Sequence, residues 1–181
     1  MTIETTISSL ADLADISYID DSGQLPEQLQ GKIGVYAIFD RNKHLQFVGY
    51  SRDIYLSLRQ HLVRQPQHCY WVKVQTIERP NRTILENIEN AWITENGSVP
   101  SGNGDDKEKW TQPIDVKTLM TPEERVNYEN PVYDEMTQMK ILKNVARRVE
   151  AEILAMLEMR GLQAQIRFNP KLKDNGLLDL K

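Results

Sequence analysis

Between Lys43 and Leu62 the sequence reads KHLQFVGYSRDIYLSLRQHL. A short apolar strand pattern ends in Val48-Gly49-Tyr50-Ser51, and a helix pattern follows at once, carrying Arg52, Arg59 and His61 with almost no acid. These are groups with which a protein handles phosphate. Guanidinium groups balance its charge, and an imidazole accepts a proton when neutral or contacts an anion when protonated. Each residue also has a purely structural reading. Arg52, Arg59 and Arg64 fit a solvated helix face, His61 a half-buried polar position, and Tyr36 a buried strand aromatic with its hydroxyl satisfied. Other chemistries find no support. No Gly-rich phosphate loop follows a strand, and no Ser/His/Asp or HExxH pattern occurs. The single cysteine, Cys69, excludes an internal disulfide and a Cys-rich zinc site. It reads as a small core residue or as a reactive thiol, in a reducing compartment such as the bacterial cytoplasm or the chloroplast stroma.

The elements that must position these groups are marked by charge as well as by period. The net charge of -4 hides a segregation. Residues 1–30 hold six acids and no Lys or Arg; residues 31–85 hold nine Lys/Arg against three acids and all three histidines. Residues 86–135 return to an excess of acid, and residues 136–181 to an excess of base. A basic module inside a weakly acidic chain suits phosphate binding. It suits equally well docking on the chain's own acidic segments. With 40% hydrophobic and 27% charged residues the composition is that of a globular protein. No apolar run approaches the roughly 18 residues that span a bilayer, and the acidic N-terminus is neither a secretory signal nor a transit peptide. No membrane association is expected.

Periodicity gives the order of elements. Residues 1–30 read as an acidic arm with a short helix capped by Ser9. IGVYAIF and LQFVGY read as a β-hairpin joined by DRNKH. Ser51 is placed to cap the next helix, whose apolar stripe is Ile54, Leu58 and Leu62, and Pro66 ends it. CYWVKVQTI alternates as a third strand. A helix over about 82–96 buries Ile84, Leu85, Ile88, Trp92 and Ile93 and stops at Asn96-Gly97. A loop covers 104–120, and Thr121-Pro122-Glu123-Glu124 starts a helical extension over 121–181. Its long helix, about 134–160, has a basic face that could pack, lie along nucleic acid or dock on a partner. The tail after it reads as irregular.

The hairpin–helix–strand–helix order, with GVY at 34–36 and FVG at 47–49, resembles the GIY-YIG nuclease domain. SRDI at the helix start and VPSGN at 99–103 resemble that pattern too. The likeness covers about 32–103, and its narrowest form is the GIY-YIG domain fused before a monothiol glutaredoxin in plant chloroplasts, with free-standing cyanobacterial relatives. The resemblance implies an α+β fold: a small three-stranded mixed sheet flanked by helices, followed here by the helical extension. It also implies hydrolysis of DNA phosphodiesters with Mg²⁺ or Mn²⁺ and no small-molecule cofactor. Tyr36 takes the place of the first signature tyrosine, which assists the attacking water. Phe47 stands where the second tyrosine is usual, and Ser57 where the family has its phosphate-binding arginine. Arg59 lies about 200° around the helix from Ser57 and Arg52 more than a turn before it, while His61 is one turn beyond and shares its face. The implied catalytic set is therefore Tyr36, His61 and Arg52. The implied nucleic-acid contacts are Arg41, Lys43, Arg59, Arg64 and Asn103. The metal glutamate matches Glu89 in ENAWI, with Glu86 one turn earlier on roughly the same face.

Two functional expectations follow. One is a divalent-metal-dependent DNA endonuclease with a degenerate site. The other is an inactive GIY-YIG-fold module that binds nucleic acid or a protein partner, and Phe47 and Ser57 favour it.

Overall fold

The computed structural model describes residues 5–181; the first four residues of the acidic arm lie outside the described residues. The chain divides into two compact units, Met1–Thr111 and Gln112–Lys181. It is an α+β protein, with six α-helices among the described residues.

The first unit is built on a sheet of β1 (Ile16–Ser17), β2 (Ile33–Phe39), β3 (Leu45–Ser51) and β4 (Trp71–Ile77), in the order β1-β4-β2-β3. The sheet has four strands rather than three and is antiparallel throughout rather than mixed. The extra strand comes from the acidic arm, where Ile16 pairs with Val72 and Ser17 with Trp71. Two residues are too short to carry a period-2 signal. Antiparallel pairing follows from the connections. A five-residue turn at 40–44 reverses β2 into β3, and α1 (Ile54–Arg64) returns the chain so that β4 also runs against β2.

Alternation divides the sheet into two faces. Val35, Ala37, Phe39 and Val48 pack with Leu85, Ile88 and Trp92 of α2 (Arg82–Asn96) and with Leu10 of the arm. Tyr36, Ile38, Phe47 and Gly49 belong to the opposite face. α1 begins at Asp53, whose carboxylate accepts from the Leu56 amide; Ser51 caps the turn before it, accepting from the Asp53 amide. Its stripe is Ile54, Leu58 and Leu62, joined by His61 and Val63. α2 is capped by Asn81 and ends at Gly97, which takes φ 84°, the left-handed value that glycine adopts without strain. α3 (Lys107–Thr111) closes the unit.

The second unit holds β5 (Ile114–Asp115), α4 (Pro122–Tyr128), α5 (Glu135–Met159), α6 (Pro170–Lys173) and β6 (Leu177–Leu178). Thr121 and Glu124 form a capping box on α4. α5 buries Leu142, Val145, Ala146, Val149, Ile153 and Leu157. The tail is ordered rather than irregular: Phe168 and Leu178 are buried, β6 pairs with β5, and Phe168 bridges Leu180. Much of the basic face of α5 is met inside the unit. Arg148 reaches Glu124 at 2.7 Å and Glu152 at 2.8 Å, and Lys143 reaches Asp174 at 3.1 Å.

Candidate functional site

Tyr36 lies opposite Gly49 in the β2–β3 pair. A Cβ at Gly49 would stand 2.8 Å from the Tyr36 hydroxyl and 2.6 Å from the Phe47 ring, so the phenol crosses the strand only because this residue has no side chain. The hydroxyl then meets Nε2 of His61 at 2.8 Å. His61 follows Ser57 by four residues on α1, so the two share a helix face. Ser57 also hydrogen-bonds the phenol, and it donates to Ser51 Oγ at 2.7 Å. Phe47 packs 4.7 Å from the His61 ring, and the Trp110 indole stacks on Phe47 at 5.3 Å with the planes 1° apart. Trp110 is also 5.6 Å from His61. Tyr36, Phe47, His61 and Trp110 are all buried. The indole also lies against Gly102, where a Cβ would come within 2.9 Å of it. Arg64 donates to the Trp110 carbonyl at 3.0 Å and so ties α3 to α1.

Burial fixes the electrostatics of this pair. It holds the Tyr36 phenol well above its ordinary pKa, with the Ser57 hydrogen bond and Arg64 pulling the other way. It pushes His61 down to about 3, helped by the Arg64 charge and offset in part by the Trp110 backbone. Both groups are therefore neutral at ordinary pH. A neutral imidazole bonded to a phenol has the form of a base beside a nucleophile. Here the two shifts run against proton transfer, and both residues are buried. Nδ1 of His61 is buried with no hydrogen bond of regular geometry.

The glutamates have separate surroundings. Glu86 accepts from Arg82 at 2.7 Å and from the Tyr50 hydroxyl at 3.4 Å, and Arg82 holds its pKa below the usual range. Glu89 is half-buried, and burial, reinforced by Glu86, raises its pKa against the pull of Lys107. Its charge also raises the Tyr36 phenol, which places it within electrostatic reach of the buried pair. No group of three or more His, Cys, Asp or Glu suited to a metal occurs among the described residues. Mg²⁺ commonly binds through one or two carboxylates plus waters and substrate phosphates. Glu89 fits that open mode and not a closed protein cage.

The other sequence-derived positions spread out. Asn103 uses both amide atoms on the β3 edge: its Nδ2 donates to Val48 O at 2.7 Å and its Oδ1 accepts from Val48 N at 2.8 Å. It behaves as a surrogate strand on that edge. Arg59 lies 6.0 Å over the Tyr55 ring, and Arg41 and Arg52 are exposed. Lys43 pairs with Asp15 of the acidic arm at 3.0 Å and lies 4.9 Å over Trp71; Lys73 reaches the same carboxylate at 3.9 Å. Part of the basic excess is thus met by the chain's own acids. Cys69 is buried, its Sγ donating to the His61 carbonyl at 3.6 Å. That is not the exposed, electropositive setting of a reactive thiol. Sequence reasoning missed Trp110, a lone large apolar residue after the charged run DDKEK, and Asp15.

No family model matches the chain. A chloroplastic bifunctional monothiol glutaredoxin of Arabidopsis thaliana is 43% identical over 74 residues, which cover 39% of this chain and 25% of that protein. The chain therefore spans about a quarter of the length of the curated relative it matches. No helix among the described residues is long and apolar enough to cross a membrane.

Proposed function

We propose that residues 31–103 form a domain of the GIY-YIG nuclease superfamily, of the type joined to monothiol glutaredoxins in chloroplasts, held in a closed, non-hydrolysing form. The domain serves as a nucleic-acid-binding module through its exposed cations, Arg41 and Arg52 among them. One observation carries this reading. The signature tyrosine, Tyr36, is buried and hydrogen-bonded to His61 at 2.8 Å beside Phe47 and Trp110. The GVY and FVG segments pair as adjacent antiparallel strands, as the resemblance requires. The matched relative lends support because it is a chloroplastic bifunctional monothiol glutaredoxin, 43% identical over 74 residues.

A second reading, a Mg²⁺- or Mn²⁺-dependent DNA endonuclease, is favoured by Glu89. This half-buried acid, raised in pKa by burial and near the phenol, is a carboxylate that a divalent cation would relieve. Such a cation would balance charge on a phosphate, while Arg52 and Ser57 would orient the ester.

Plasmid incubated with the full chain and Mg²⁺ or Mn²⁺, beside Tyr36→Phe and Glu89→Ala, separates the two readings. The closed-module reading expects no nicking above that of both variants, together with DNA binding that weakens steeply as salt rises. Nicking by the parent that both variants lose would replace it with the endonuclease reading. Absence of salt-dependent DNA binding would remove nucleic acid as the ligand.

A further inference from the structure

Residues 98–111 lie across the β3 edge and reach α1, and their attachment is uneven. Within this stretch only Pro100, Gly102 and Trp110 are buried. Trp110 is thus its one large apolar anchor. The other ties are polar and act mainly on backbone atoms. Asn103 clamps both the amide and the carbonyl of Val48, Arg64 holds the Trp110 carbonyl, and Gln65 reaches the Lys109 carbonyl at 3.5 Å. Beneath the indole lies a polar pair, Tyr36 and His61. Segments with few buried apolar contacts open locally, at less free energy than the whole domain requires.

We propose that residues 98–111 are a lid, hinged away from its single indole anchor by local opening, which exposes the Tyr36–His61 pair to solvent. The lid is independent of the fold family assigned above; that it guards a phosphate-ester site rests on that assignment. Closed, the Trp110 indole stacks on Phe47, lies against Gly102 and covers His61. Open, the Val48 amide loses its acceptor, since Asn103 Oδ1 leaves with the lid. The hydroxyl of Tyr36 and the ring of His61 then face outward together, with Arg64, Cys69 and Glu89 the titratable groups around them.

Hydrogen exchange of the full chain under native conditions tests this. The lid predicts that the Val48 amide exchanges at least about tenfold faster than the Tyr36 and Ala37 amides of the central strand, which await global unfolding. Equal rates would overturn it. In parallel, diethyl pyrocarbonate modifies accessible histidines, with the exposed His44 and His68 as internal standards. Trp110→Ala should raise the rate at His61 about tenfold or more toward those standards while the strand amides stay protected. A folded Trp110→Ala chain with His61 as unreactive as before would overturn the lid. Should that variant not fold, the exchange comparison in the unaltered chain still decides. Neither readout depends on catalysis, so loss of the nuclease-superfamily reading would leave the lid standing or falling by itself.

Discussion

Two regions of the first unit hold the residues that a phosphate chemistry would use, and they have opposite characters. Around Tyr36 and His61 every ring is buried, the pair is neutral, and an indole closes the surface. Around Glu86 and Glu89 the carboxylates are only partly covered, and Arg82 and Lys107 stand nearby. The difference teaches that the Tyr36 side of the unit is closed by packing, while Glu89 stays partly accessible. Phe47 is central to this. A phenylalanine has no hydroxyl to satisfy, so it can stack flat on Trp110 and let the site fill with apolar surface.

Gly49→Ala should break the buried side most severely. The added Cβ meets the Phe47 ring and the Tyr36 hydroxyl below 3.0 Å, and relief requires tearing the phenol from His61. A loss of about 1–3 kcal/mol is expected from chemical denaturation. Tyr36→Phe should cost somewhat less, roughly 1–2 kcal/mol, because it leaves Nε2 of His61 buried without a partner. Removal of a hydroxyl exposed to solvent would change nothing, so an unchanged midpoint would contradict the buried geometry. Glu89→Gln sharpens the open side and is the smallest effect. Because burial raises its folded pKa, ionised Glu89 opposes folding above its folded pKa. The variant should be more stable at neutral pH by no more than about 0.5 kcal/mol, solvent screening keeping it small. The gain should vanish as pH falls below the unfolded value, and urea titrations at pH 7 and pH 4 would show both.

Much of the fold was legible in the sequence because it rests on long periodic segments. The hairpin, the α1 stripe, and α2 with its Gly97 stop have strong local signals and stand where the pattern puts them. The parts that escaped depend on tertiary context. The two-residue β1 exists only because β4 offers an edge, and the tail folds because Phe168 and Leu178 find a hydrophobic seat. The choice of Asp53 over Ser51 as the cap of α1 turns on a shift of two residues. In the site, the shared face of Ser57 and His61 followed from helix geometry, and the structure brings His61 to Tyr36. Trp110 was illegible because it arrives from a charged loop with no apolar period around it. Asn103 was placed at the site's edge by motif, but its role as a strand surrogate depends on β3 being unpaired on that side.

The central claim, a neutral Tyr36–His61 pair sealed from water, is tested most directly by following the His61 ring resonances in an NMR pH titration of the intact chain. With a folded pKa of about 3 against 6.5 when free, His61 should show no titration between pH 8 and pH 5. The unfolded chain takes up a proton over that range that the folded chain does not. Stability should therefore fall as pH drops below about 6.5, and this His61 contribution should level off only near pH 3. A His61 resonance that titrates between pH 6 and pH 7 while the protein stays folded would contradict the account.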